Sequence, residues 1–183
     1  VTGALSATAT TGDITDSGNL AITGAATFIT GATGSNIVLD SSGNVFSNSV
    51  EMKAGDGTAA FGNITFVDSA GIDFATSAGS NGDLYINSST DGTVGGNLSV
   101  TATTGNITDT VAVVTTGSST SSFTTSATNG TIELNTPASL AGAVALSTTG
   151  ASGNATIDNG TTALNIAASS IGGNLTLTSG AAA

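Results

Sequence analysis

The chain has no histidine, no cysteine, no tryptophan and no arginine, and its one basic side chain is Lys53. Without His or Cys, no Ser–His or Cys–His nucleophile can be assembled. Without thiols, disulfides play no part in stability, which is compatible with a bacterial cell-surface protein. A nucleic-acid partner requires several Lys or Arg to displace counterions from phosphates, and one lysine does not meet that need. The same shortage argues against anionic membrane surfaces. A β-helical lyase would need a base or an anion-stabilising cation. Lys53 is the single candidate, and its setting between Met52 and Ala54, with Glu51 nearby, reads as a solvated strand position. Aromatics are only 4% of residues, too few for a conventional core of large rings. No apolar run approaches the length of a membrane span and no signal peptide is present in these residues, so membrane insertion is not expected. The start at Val1 suggests a chain processed or excised from something longer.

Other features are present in excess. Of 183 residues 26 are Gly, and Ser and Thr together make up roughly a third. The hydrophobic 38% is carried mainly by Ala, Val, Ile and Leu, side chains suited to thin layers of β-structure. Twelve acids against one base give a net charge of −11, a balance typical of secreted proteins that must stay soluble. A mean hydropathy of +0.31 separates the chain from disordered low-complexity segments, which are poorer in apolar residues and richer in charge.

The sequence repeats. Residues 1–16 read VTGALSATATTGDITD and residues 94–109 read VGGNLSVTATTGNITD, an offset of 93. A third opening, IGGNLTLTSG, begins at Ile171, a further 77 residues on. The chain therefore divides into a first module over 1–93, a second over 94–170 and the start of a third over 171–183. Unequal lengths are tolerated in solenoids, where each layer touches only its neighbours. Within the modules, apolar residues recur at i and i+2: Leu20/Ile22, Ile37/Leu39, Val50/Met52, Ile64/Phe66, Ile72/Phe74, Leu84/Ile86, Leu98/Val100, Val111/Val113, Ile132/Leu134, Val144/Leu146, Leu164/Ile166 and Leu175/Leu177. A period of two signals strands with one buried face. Turn-forming clusters at 31–34, 41–44, 55–57, 79–82 and 129–130 separate them.

A sandwich or barrel also uses many short strands. The long internal copy, the very short strand segments and the shortage of large side chains favour an all-β right-handed parallel β-helix, with almost no helix. Coils of roughly 20–25 residues predict about eight coils and, at the usual inter-strand spacing, a rod about 40 Å long. The phenylalanines at 28, 46, 61, 66, 74 and 123, and Tyr85, mostly fall in strand frame and are assigned to the core.

The strings GNLSVTATTGNITD, LAITGAATF, NIVLDSSGNVF and NITFVDSAGIDF resemble the degenerate repeats of filamentous-haemagglutinin-like bacterial surface proteins. The resemblance runs over essentially the whole chain, although the second module departs after Thr116, where residues 118–122 replace a compact phrase. It implies an exported β-helix belonging to a large adhesin or matrix protein, and it brings no catalytic residue.

Among candidate sites, the carboxylate pairs Asp13/Asp16, Asp68/Asp73 and Asp83/Asp91 could in principle hydrolyse glycosides, but aromatic sugar platforms are missing. Calcium is the cation that Asp13, Asp16, Asp40, Asp56, Asp83, Asp91 and Asp109 could hold. No EF-hand loop or calcium-binding nonapeptide array is present, and Asp in Gly- and Asn-rich turns more often accepts local backbone hydrogen bonds. No catalytic, cofactor or metal residue is therefore assigned. Asn-x-Ser/Thr sequons at Asn63, Asn87, Asn97, Asn106, Asn129, Asn154, Asn159 and Asn174 are mostly accounted for by chance in so Ser- and Thr-rich a chain. Thr pairs at Thr101/Thr103 and Thr176/Thr178 raise ice binding, but their irregular spacing is better explained by β-propensity. The expected function is a non-catalytic structural rod or spacer, extracellular or on a cell surface. The alternative is an adhesin module binding glycans, another cell or ice. Expected partners are further copies of its own repeats or identical subunits end to end, with cell-surface glycans under the alternative; nucleic acid is not among them.

Overall fold

The computed structural model describes residues 1–55, 61–75, 83–86 and 93–180. Asp56, Asn87, Asp91, the turn at 79–82 and most of that at 55–57 lie outside the described residues, as does the Asp83 side chain. Among the described residues every secondary-structure element is a strand, and there is no helix. Every strand-to-strand pairing is parallel. The chain is a β-solenoid of about seven turns.

Two sheets dominate. A seven-stranded sheet stacks Ile14–Thr15, Ile37–Leu39, Ile64–Asp68, Leu98–Ala102, Ser121–Thr128, Ala143–Thr149 and Asn165–Ile166 in chain order. A nine-stranded sheet runs Leu5–Ala9, Ala26–Thr30, Val50–Lys53, Asp83–Ile86, Ile72–Phe74, Ile107–Asp109, Ile132–Leu134, Ala155–Asp158 and Leu175–Thr178. Chain order breaks once, where Asp83–Ile86 is inserted between Val50–Lys53 and Ile72–Phe74. Smaller sheets of two and three strands close the third side.

The expectation of eight coils was one too many, because turn length is not constant. Successive turns along one corner of the seven-stranded sheet separate equivalent residues by 23, 27, 34 and 23 positions. Seven strands at the usual spacing of about 4.8 Å span roughly 30 Å.

Residues with one buried face form strands here because their alternation matches the pleat. Ile14, Ile37, Ile64, Leu98, Ser121 and Val144 form one inward column, and Leu39, Phe66, Val100, Phe123 and Leu146 a second. Few aromatics are present, yet they are concentrated inside. Phe46 lies 6.2 Å edge-on from Phe28 and 5.1 Å from Phe66, and Phe74 lies 5.9 Å edge-on from Phe123. Phe61 and Tyr85 are only half-buried, against their assignment to the core. Val111/Val113 and Leu164 sit outside strands, in the bends of the coil. Leu175 and Leu177, on the outermost strand, are 42% and 43% exposed.

The 93-residue repeat does not stack in phase. Leu5–Ala9 lies on the nine-stranded sheet, while its copy Leu98–Ala102 lies on the seven-stranded one. Ile14–Thr15 and its copy Ile107–Asp109 change places in the opposite sense. The reason is the length between copies. Ile14, Ile37, Ile64 and Leu98 are successive rungs of one column, so the chain makes three turns and one further face before the phrase recurs.

Candidate functional site

The polar side chains singled out by the sequence converge on one task, which is joining one turn to the next. Immediately before each of the first five strands of the seven-stranded sheet stands a residue of one hydrogen-bonded ladder. The Asn36 N–H donates to Asp13 Oδ1 at 2.7 Å, Asn63 N–H to Asn36 Oδ1 at 2.8 Å, Asn97 N–H to Asn63 Oδ1 at 2.8 Å, and Thr120 N–H to Asn97 Oδ1 at 2.8 Å. The nine-stranded sheet has a second, interrupted ladder, in which Asn106 Oδ1 accepts from Thr131 N–H at 2.9 Å and Asn154 Oδ1 from Asn174 N–H at 2.8 Å. At these corners the chain turns away and its N–H would otherwise face no strand carbonyl, so a side-chain oxygen one turn below satisfies it.

The aspartates do the same. Asp16 accepts from Asp40 N–H at 3.1 Å, Ser41 N–H at 3.3 Å and Asn44 Nδ2 at 2.7 Å. Burial pushes its carboxyl up, but these donors outweigh burial and hold it below the ordinary value. Asp109 Oδ1 accepts from Asn135 and Thr136 N–H at 2.8 and 3.2 Å, while its Oδ2 is buried without a partner. Burial, with the nearby Asp73 charge, raises its carboxyl. Asp68 is 1% exposed, and burial likewise raises it despite bonds from the Phe46 and Ala70 N–H, each at 3.3 Å. The turn role expected of these acids was a local one. For Asp13, Asp16 and Asp109 the bonds instead cross a whole turn, a pairing invisible in local spacing.

The carboxylates of the pair Asp68/Asp73 do not face one another. Asp68 points into the core from the seven-stranded sheet, whereas Asp73 is on the outward frame of the nine-stranded one. Among the described residues no three acids converge as a cation site. Lys53 sits outward at the end of its strand, opposite Ile29. Thr101 and Thr176 lie on different sheets, so the two Thr pairs share no face. Of the sequons, Asn159 is closed to modification. It is fully buried, its Oδ1 accepts from Leu140 N–H at 2.8 Å, and its Nδ2 donates to the carbonyls of Leu140, Thr162 and Ala163.

Sequence reasoning missed two features. Buried threonines staple corners: Thr30 Oγ1 donates to Ser35 O at 3.0 Å and accepts from Gly55 N–H at 2.8 Å, and Thr148 does the same for Gly153 and Gly172. The second is a shallow groove of about 430 Å³ on the outward face of the seven-stranded sheet, lined by Ser122, Thr124, Ala145, Ser147, Ser169 and Ser170 among others.

Fold and ladders together define a repetitive β-solenoid protein. Residues 1–53 match a family described as repeats of unknown function (DUF5649), a stretch that covers the first two turns and the strand opening the third. No curated protein and no solved structure matches the chain.

Proposed function

We propose that the chain is a length of non-catalytic rod or spacer in an extracellular filament, cell-surface or matrix protein, of the kind its resemblance to filamentous-haemagglutinin-like repeats implies. The observation carrying this reading is the use of polar groups. The Asp13–Asn36–Asn63–Asn97 ladder and the Asp16 and Asp109 carboxylates are engaged in holding turn to turn, so these strongest polar residues serve cohesion. The partners that fit are further copies of its own repeats, or identical subunits stacked end to end, because in a parallel solenoid each turn pairs with the next. Covalent continuation is the favoured form, since stacking requires an evolved interface. With one lysine against twelve acids, nucleic acid does not belong to this reading.

Negative-stain imaging of the native material tests it. Rods or fibres are expected, and isolated globular particles would overturn the proposal. The second reading, an adhesin module with an outward binding face, is favoured by one specific feature, the groove on the seven-stranded sheet.

A further inference from the structure

We propose that the strand Asp83–Ile86 is a wedge that bends the rod by about 25° between its third and fourth turns, with the nine-stranded sheet on the outside of the bend. The two main sheets differ in length by more than a regular coil allows. A coil that runs from Leu5 to Thr178, starting and finishing on the same sheet, needs one strand more there than on the facing sheet, eight against seven. The nine-stranded sheet has two more. The surplus strand is the one out of chain order, paired in parallel with Val50–Lys53 on one side and with Ile72–Phe74 on the other.

Among the described residues nothing matches it elsewhere in the coil. On the seven-stranded sheet Ile64–Asp68 pairs directly with Ile37–Leu39 and with Leu98–Ala102, so no strand enters there. The corner leading from that sheet is unbroken too, since the Ser69 N–H donates to Asn44 O at 2.8 Å and the Thr103 N–H to Asp68 O at 2.9 Å. The two small sheets, Ala21–Ile22 with Val45–Phe46 and Thr93–Val94 with Val114–Thr115 and Ser139–Leu140, are separate and stop on either side of this level. One face therefore gains a layer that the facing one lacks.

The strand is built into the core. Val50, Leu84 and Phe74 form one inward column, and Ile86 stands over Met52. Leu84 and Ile86 are 1% and 5% exposed. Paired strands keep a spacing of about 4.8 Å and facing sheets stand about 10 Å apart, so one surplus spacing tilts the upper turns against the lower by about 25°. The sequence carries the same mark. The phrase copies at Leu5, Leu98 and Leu175 are each separated by three turns and one further face, yet the intervals are 93 and 77 residues. The longer interval is the one that holds the wedge. The bend is independent of the functional reading, since a spacer and an adhesin would share it.

Distances between spin labels test it, in a chain whose lack of cysteine lets two be introduced alone. The variant Thr27→Cys/Thr156→Cys labels outward positions of the nine-stranded sheet on strands six spacings apart, wedge included. The variant Thr15→Cys/Ala145→Cys labels strands of the seven-stranded sheet five spacings apart. Both pairs span five turns, so the expected separations are about 29 Å and about 24 Å. Equal separations would overturn the proposal. Deleting 75–88 removes the wedge and leaves Phe74 five positions before Thr93, the interval from Asp109 to Val114 and from Leu134 to Ser139. In that variant the first separation is expected to fall by about 5 Å and the second to stay as it was. Shortening of both pairs would show that a whole turn was lost, and shortening of neither that the strand adds no length; each result overturns the wedge. Should the deletion fail to fold, the two separations in the intact chain decide the matter by themselves.

Discussion

Ser121 and Asn159 are both polar and both buried, yet they have opposite consequences. Ser121 occupies the inward column of Ile64, Leu98 and Val144, and its hydroxyl finds no partner. Ser121→Ala removes an unsatisfied group, and unfolding in urea is expected to show a gain of about 1 kcal/mol. Asn159→Ala orphans one N–H and releases three carbonyls, so a loss of about 2–4 kcal/mol is expected in the same measurement. Acid dependence is also set by single residues. Asp68 and Asp109 have carboxyls raised by burial, so their charged forms are disfavoured in the fold. The folded state binds those protons more tightly than the unfolded chain, and stability therefore rises as pH falls through their raised values towards the ordinary 3.8. Asp16 works in the other sense, with stability present above 3.8 and lost as pH falls through its lowered value. Relief of the −11 self-repulsion adds to the first trend. Urea midpoints are thus expected to be higher near pH 4 than at pH 7, and Asp68→Asn to raise the pH 7 midpoint and flatten the profile. A midpoint falling steadily from pH 7 to pH 4 would show the raised carboxyls to be unimportant.

At the scale of strands and turns, close stacking depends on where a side chain is missing. A Cβ built on Gly62 would lie 1.7 Å from Ser35 O in the turn below, whereas one on Gly3 meets nothing within 4 Å. Gly62→Ala must separate two turns and break neighbouring ladder bonds, with an expected cost of about 3 kcal/mol or more, while Gly3→Ala should be nearly neutral. Thermal melts of the two variants decide this; equal melting temperatures would contradict it. The strands themselves were legible. Ile37/Leu39, Ile64/Phe66, Ile132/Leu134 and Val144/Leu146 alternate with polar neighbours, and the pleat leaves such a pattern one arrangement. The parallel solenoid followed from adding the long internal copy. The ladders were not legible, because Asn63 and Asn97 are 34 residues apart and become neighbours only when turn length is known. Turn length was hidden by insertions, which is also why eight coils were expected. The groove was illegible for a related reason: it depends on the bulge of Ala168 and Ser169 between the ladder bonds of the Ala167 and Ser170 N–H groups, and no local pattern marks where a strand leaves its ladder.

For the whole molecule, the slip of the repeat by one face separates two meanings of "module". The 93-residue phrase is a unit of sequence, but the unit of structure is one turn, since a turn restores both register and face. Stability in such a stack is a sum over turns and their interfaces, so removing a turn should shorten the molecule without destroying it. Residues 98–120 are one turn, because Leu98 and Ser121 are in register on adjacent strands. Joining Asn97 directly to Ser121 keeps the Asn63–Asn97 rung and brings Ser121 over Ile64, where Leu98 stood. This deletion is expected to fold into a β-rich, cooperative protein whose urea m-value drops by about one part in seven, in proportion to the surface lost. Deleting 98–109 instead removes only two faces of the turn, brings outward residues into inward columns and should leave no cooperative transition. Circular dichroism during urea unfolding distinguishes the cases. If the whole-turn deletion unfolds as readily as the partial one, the turn is not the unit from which this solenoid is built.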